Sequence, residues 1–174
     1  MNAPEKNAHD LTRRANRNFA LAAALAAAVF ALDQISKRVA VAQLAGAPVE
    51  ILPVFQFALV FNQGAAFGFL GDAGGWQRFF LIGVAALVSA ALPVWMWRAR
   101  GGGALLVCAL ALLLGGALGN LADRLLHHHV IDFIVLHYRH WYFPAFNLAD
   151  SAITIGAGGV ILESFVRPRA PLRV

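Results

Sequence analysis

The chain has 174 residues, of which 60% are hydrophobic and only 13% are charged, about half the charged share usual in soluble domains, which excludes water as its main solvent. Its net charge of +5 comes from Lys and Arg placed at the ends of apolar runs; a nucleic-acid partner would need them gathered on a polar face, so the basic excess is a topology signal. A single cysteine, Cys108, excludes an internal disulfide and a multi-cysteine metal site, and its place in an apolar run predicts a lipid-facing or packing role.

Arg13, Arg14 and Arg17 precede an apolar stretch from Phe19 to Leu32, and Ala40-Val41-Ala42 offers a small-x-small site, as in a signal peptide. The twin arginine lacks the hydrophobic residues that should follow it, and Asp33 to Arg38 separates the apolar run from the small residues. An uncleaved first helix is therefore expected. A span needs about 20 residues to cross about 30 Å of hydrocarbon. The first candidate, about 19–39, reaches that length only by taking in Asp33, Gln34, Ser36 and Lys37. The second, about 76–97, carries only Ser89 as a polar interior residue and has tryptophans at both ends, as an interfacial belt would. The third, about 104–126, must include Asn120, Asp123 and Arg124, and the fourth, about 147–166, begins with Asn147 and Asp150.

With both termini cytoplasmic, the inner segments hold Lys6, Arg13, Arg14, Arg17, Arg98, Arg100, Arg167, Arg169 and Arg173, nine of the fourteen basic residues. The outer segments are then about 40–75 and 127–146. In the first of these, alternation around Phe55, Gln56 and Phe57 followed by Asn62-Gln63-Gly64 predicts short strands and a turn on the membrane surface. Gly115 with Gly119, and Gly156, Gly158 and Gly159, predict close helix contacts. The expected architecture is an all-α membrane protein, one membrane-embedded domain over 1–174, with a cytoplasmic extension at 1–18 and a cytoplasmic tail at 167–174.

On this topology three helices bring polar residues to one depth in the outer third, and an ionisable group in a bilayer needs a partner or a cavity. Asp33 and Lys37, four apart, can neutralise one another as a structural pair. Asp123 adjoins Arg124, with Asn120 one turn earlier, which predicts a hydrogen-bonded scaffold. Asp150 lies three residues after Asn147, as in an N-cap followed by an acidic first turn. Asp132 lies within Val130 to Val135 with no basic residue within four positions, a costly place for a carboxylate. Asp132 and Asp150 thus lack local cationic partners, and paired carboxylates sharing a proton are the working parts of aspartic proteases.

The ordered set Asp33-x-x-x-Lys37, Asn62-x-Gly64-x-Ala66-Phe67, Gly119-Asn120-x-x-Asp123-Arg124, Val130-x-Asp132-Phe133 and Phe146-Asn147-x-Ala149-Asp150 resembles the bacterial lipoprotein signal peptidases, signal peptidase II. The resemblance implies an inner-membrane aspartyl endopeptidase that removes the signal peptide from prolipoproteins, cutting before a diacylglyceryl-modified cysteine. It places the catalytic pair at Asp132 and Asp150. Asn62, Gly64, Asn120, Asp123, Arg124 and Asn147 would bind substrate or support the dyad. It further implies outer strands forming an extracytoplasmic β-rich cradle, and no metal, cofactor or covalent intermediate. The expected partners are the prolipoprotein substrate and membrane lipid.

Other classes meet obstacles in the residues themselves. A proton- or ion-coupled transporter would also place Asp, Lys and Asn in the bilayer, but it tends to bind at mid-membrane and to carry an internal repeat, and this sequence shows none. A zinc peptidase built on His127, His128, His129, His137 and His140 lacks an HExxH pattern. Ser36 and Lys37, adjacent on a helix, point about 100° apart and cannot readily share a proton.

Overall fold

The computed structural model describes residues 3–64 and 75–166. Ala66 and Phe67 of the second motif lie outside the described residues, as do Arg167, Arg169 and Arg173.

Among the described residues, four helices are long and apolar enough to cross a membrane. They are α1 (Ala3–Leu44), α2 (Trp76–Ala99), α3 (Ala104–Leu126) and α4 (Leu148–Val166). Three match the expected spans closely. The first does not: α1 runs for 42 residues, about 63 Å, well past both ends of the 19–39 span. Its flanks are rich in Ala, Arg, Lys, Gln and Leu, which lose little on entering a helix, so nothing terminates it where the apolar run stops. Residues 3–18 of the expected N-terminal extension continue the same helix.

The packing inverts the pattern of a soluble protein. Leu21, Leu87, Phe79, Ile155 and Phe165 face outward, while Asp33, Lys37, Asp123, Asp132 and Asn147 are buried, as expected where lipid replaces water. Cys108 is exposed on that outer surface. The buried residues of α1 are Ala22, Ala26, Val29, Asp33, Lys37 and Ala40, spaced four and three apart, so the stripe that packs apolar residues at one end carries the charged pair at the other.

Helix α3 is central, packed against each of the other three, and its glycines let the backbones approach. A Cβ at Gly115 would come within 2.6 Å of Ala26 O, and one at Gly116 within 2.5 Å of Ala149 O. At Gly119 it would collide with the Asp33 carboxylate. On α4, Gly156 abuts Ala109 and Leu113, and Gly159 abuts Ala109. Gly158 meets nothing within 4 Å and is not a packing residue, contrary to expectation; two residues on from Gly156, it points away from α3.

The polar ends of the helices meet a four-stranded antiparallel sheet, β1 (Val49–Leu52), β2 (Phe55–Asn62), β3 (Val130–Tyr138) and β4 (Trp141–Tyr142), in the order β1-β2-β3-β4. The strands expected around Phe55 to Phe57 are β1 and β2. In β2 the pairing moves from Phe57 opposite Ile134 to Val60 opposite Asp132, so Ala58 and Leu59 together oppose Phe133. Such a bulge adds local twist and re-aims nearby side chains, here beside Asp132 and Asn62.

Candidate active site

Two connections set the site. The first joins α3 to β3 through the histidine run. His127 N donates to Asp123 O at 2.7 Å, and His128 adopts φ 72, the left-handed position that closes a helix and is more often Gly or Asn. His129 packs at a tilt against Phe61, ring centroids 4.6 Å apart, and burial, then the neighbouring His127, lowers its pKa. The run therefore ends α3 and turns the chain into β3. The second connection precedes α4: Phe146 exchanges backbone hydrogen bonds with Ile134 at 2.9 and 3.0 Å, which holds the start of α4 against β3 and brings Asp150 to Asp132.

Asp132 and Asp150 line one cleft of about 930 Å³ together with Asn62, Gly64, Asn120 and Arg124. The rest of the wall is largely apolar, with Val60, Leu136, Phe143, Phe146 and Ile153. Each of the four oxygens of the two carboxylates accepts a hydrogen bond. Asp132 Oδ1 receives Asn147 Nδ2 at 2.7 Å and Oδ2 receives Asn62 Nδ2 at 3.1 Å. Asp150 Oδ1 receives Asn120 Nδ2 at 2.7 Å and Oδ2 receives the Asn147 backbone N–H at 3.2 Å.

The three amides cannot turn over, because each carbonyl is committed elsewhere. Asn62 Oδ1 accepts from Gly64 N at 3.0 Å, which explains the Asn-x-Gly spacing as an Asx-type turn. Asn147 Oδ1 accepts from Asp150 N at 2.9 Å. With the reverse bond from Asn147 N to Asp150 this is a reciprocal capping box. The N-cap expected at Asn147 is thus present, and Asp150 is the residue that reciprocates it. Asn120 Oδ1 accepts from Lys37 Nζ at 3.0 Å.

Lys37 and Asp33 form the expected pair at 2.8 Å, but Lys37 also bridges Asp123 at 2.8 Å. This corrects the expected partnership of Asp123 with Arg124. Adjacent helical residues point about 100° apart: Asp123 turns inward to α1, while Arg124 turns to the cleft, donating to Gly64 O at 3.1 Å and Asn120 O at 3.3 Å. Asp33 Oδ1 accepts from Ala149 N at 2.9 Å, in the first turn of α4 where free N–H groups favour an anion. Asp123 Oδ2 also accepts from Ile131 N at 3.1 Å. Gln34, absent from the sequence-derived site, donates to Asp123 Oδ1 at 3.0 Å and to Gly119 O at 3.3 Å. Its signal was a third polar residue in the same turn of an apolar helix.

The structure therefore sorts the ten expected residues into two layers. Asp132, Asp150, Asn62, Gly64, Asn120 and Arg124 face the cleft. Asn147, Asp123, Asp33 and Lys37 are buried behind it; Asn147 donates to both carboxylates directly, and the other three act on the dyad through other groups. Burial, and then the negative charge of Asp150, push the Asp132 carboxyl up to about 7 from 3.8, against the opposing hydrogen bonds from Asn62 and Asn147. A carboxyl that keeps its proton near neutral pH beside a second carboxylate can serve as a general acid or base.

Residues 25–166 match the family model described as signal peptidase (SPase) II. A lipoprotein signal peptidase of Pseudomonas aeruginosa is 51% identical over 140 residues, covering 79% of this chain and 83% of that protein. Another, of Cellvibrio japonicus, is 48% identical over 141 residues, covering 80% and 83% respectively. A solved structure described as a bacterial membrane enzyme, determined by the in meso method at 2.3 Å resolution, superposes with a TM-score of 0.72 and 29% identity, over 88% of this chain and 95% of its own.

Proposed function

From the premise that this chain belongs to the signal peptidase II family, we propose that Asp132 and Asp150 are the catalytic pair of a membrane endopeptidase of aspartic type. The chain is a multi-pass membrane protease that removes signal peptides from prolipoproteins. Membership in that family disfavours the transporter reading.

The observation that carries the aspartic assignment is the cleft in which two carboxylates, in no ion pair among the described residues, stand with fixed amide donors on all four oxygens. The ionised member takes a proton from a water that attacks the scissile carbonyl. The protonated member supports the oxyanion and gives its proton to the leaving amine. The apolar wall receives the signal peptide, and the bond cut precedes a diacylglyceryl-modified cysteine. Arg124 and Asn62 hold the turn after β2 against the cleft. Release of the signal peptide from a diacylglyceryl-modified prolipoprotein by the purified protein tests this directly, and no release in a folded preparation would overturn it.

Three further outcomes are expected. Cleavage falls as pH rises through about 7, because the proton shared by the pair leaves and two like charges can neither donate to the amine nor coexist cheaply. A kcat/KM profile that climbs on the alkaline side of neutrality would contradict a shared proton. Activity also persists in chelators and in the triple alanine variant of His127, His128 and His129 apart from a loss of stability, since the run closes a helix and packs on Phe61. Abolition by a chelator with rescue by zinc would favour the metallopeptidase alternative.

The termini are cytoplasmic, the protein lies in the inner membrane, and the sheet and dyad stand near its outer face. Reporters fused after Arg100 and at the C-terminus should report a cytoplasmic location, and reporters after Gly46 and near His137 an outer one. A C-terminus found outside would break the common depth of the polar ends.

A further inference from the structure

The end of the bundle opposite the dyad carries a second polar hollow, of about 460 Å³, between α1 and the turn joining α2 to α3. Arg14, Arg17 and Asn18 line it from one side and Arg100 from the other, residues more than eighty positions apart in the chain. No carboxylate lines it among the described residues; Asp10 lines an adjoining hollow that Arg13, Arg14 and Arg17 also line, and Glu163 lies beside Gly103.

The guanidinium of Arg100 is pinned in place. It lies over the Trp97 ring at 3.8 Å, and that ring is braced edge-on by Phe19 at 5.1 Å. Nη1 donates to Trp97 O at 2.6 Å, whereas Nε is buried with no partner among the described residues. A buried donor left unpaired is costly. The Nε and Nη2 edge is also the one that clasps two oxygens of a phosphate side by side.

Position selects the source of that phosphate. Arg17 and Asp33 are sixteen residues apart on one helix, about 24 Å along its axis. With the polar layer of the dyad near one surface of a hydrocarbon core about 30 Å thick, Arg17 and Arg100 stand at headgroup level on the other. We propose that this hollow binds the phosphate of an anionic phospholipid headgroup, clasped by Arg100 and held by Arg14 and Arg17. The site is separate from the catalytic cleft and does not depend on the assignment of the dyad.

The test is lipid binding to the full, delipidated chain in detergent, followed by native mass spectrometry, with dioleoylphosphatidylglycerol and dioleoylphosphatidylcholine as probes and inorganic phosphate as competitor. Phosphatidylglycerol should bind more tightly than phosphatidylcholine. Arg14→Gln with Arg17→Gln should weaken phosphatidylglycerol by about 25-fold, taking about fivefold per basic group at an anionic surface, and leave phosphatidylcholine unchanged. Arg98→Gln removes a charge at the same end without touching the hollow and should leave the preference intact. Prolipoprotein cleavage in the Arg14/Arg17 variant serves as the folding control, and Arg17→Gln alone replaces the pair if the double variant is inactive. Equal binding of the two lipids, equal loss in Arg98→Gln, or inorganic phosphate competing as tightly as the lipid binds would each overturn the proposal.

Discussion

Asp132→Asn and Asp150→Asn should each lower the turnover of a diacylglyceryl-modified prolipoprotein by about a hundred- to ten-thousandfold while the protein remains folded and binds substrate. That range is the usual contribution of a positioned acid or base. Asn retains the size of Asp but neither takes nor gives a proton near neutrality, so the loss belongs to kcat, not KM. The amide wiring adds a structural consequence. Both oxygens of Asp150 accept from N–H groups, Asn120 Nδ2 on one side and the Asn147 backbone on the other, and Asn120 cannot flip because Lys37 holds its carbonyl. An amide at 150 must set one NH2 against a donor, which costs about 1–3 kcal/mol, so melting temperature has to be measured beside cleavage. A modest drop in melting temperature with intact substrate binding and lost turnover is the expected combination. Retained turnover in Asp150→Asn would reduce Asp150 to the reciprocating residue of a capping box.

Lys37→Met should destabilise the protein strongly, by about 3–5 kcal/mol, the usual cost of leaving buried charges uncompensated. Lys37 is 1% exposed and holds Asp33 and Asp123, themselves 0% and 1% exposed, each at 2.8 Å. Removing the cation leaves two carboxylates facing one another between α1 and α3. It also removes one of the two donors, Lys37 Nζ and Asn147 Nδ2, that hold the Asn120 carbonyl, so cleavage falls even where the protein folds. Asp33→Asn should cost less, because Lys37 keeps Asp123 and the new side chain's oxygen can still accept from Ala149 N. Adding Asp33→Asn and Asp123→Asn to Lys37→Met should recover part of the lost stability, since no net charge then remains in the cluster. Unfolding in denaturing detergent measures all of these. A Lys37→Met protein as stable as the parent, or a triple variant less stable than the single one, would show that the cluster does not hold the helices together through charge.

Much of the fold was legible in the residues because the bilayer imposes simple rules on length and polarity. The three later spans follow from apolar runs bounded by tryptophan, glycine and polar caps, and the charged pair on α1 follows from a spacing of four. The end of α1 was not legible, because a helix former outside the membrane looks the same whether it continues a span or begins a loop. Gly158 shared a composition signal with Gly156 and Gly159, yet only their angular position decides which of them touches α3.

For the site, the sequence by itself determined which carboxylates lack a cation nearby in the chain, because local partners along a helix or a strand are fixed by spacing and Asp132 and Asp150 have none within four positions. The tertiary structure alone decided what each remaining polar residue does. Asp123 and Arg124 are neighbours in the chain but a third of a turn apart on the helix, so one enters the buried cluster with Lys37 and the other meets the cleft. Asn62, Asn120 and Asn147 come from three distant segments, and their amide directions depend on Gly64 N, Lys37 Nζ and Asp150 N. Which end of an amide faces a carboxylate is a property of the closed hydrogen-bond network, since every buried donor must find its acceptor at once, and no spacing along one chain segment encodes it.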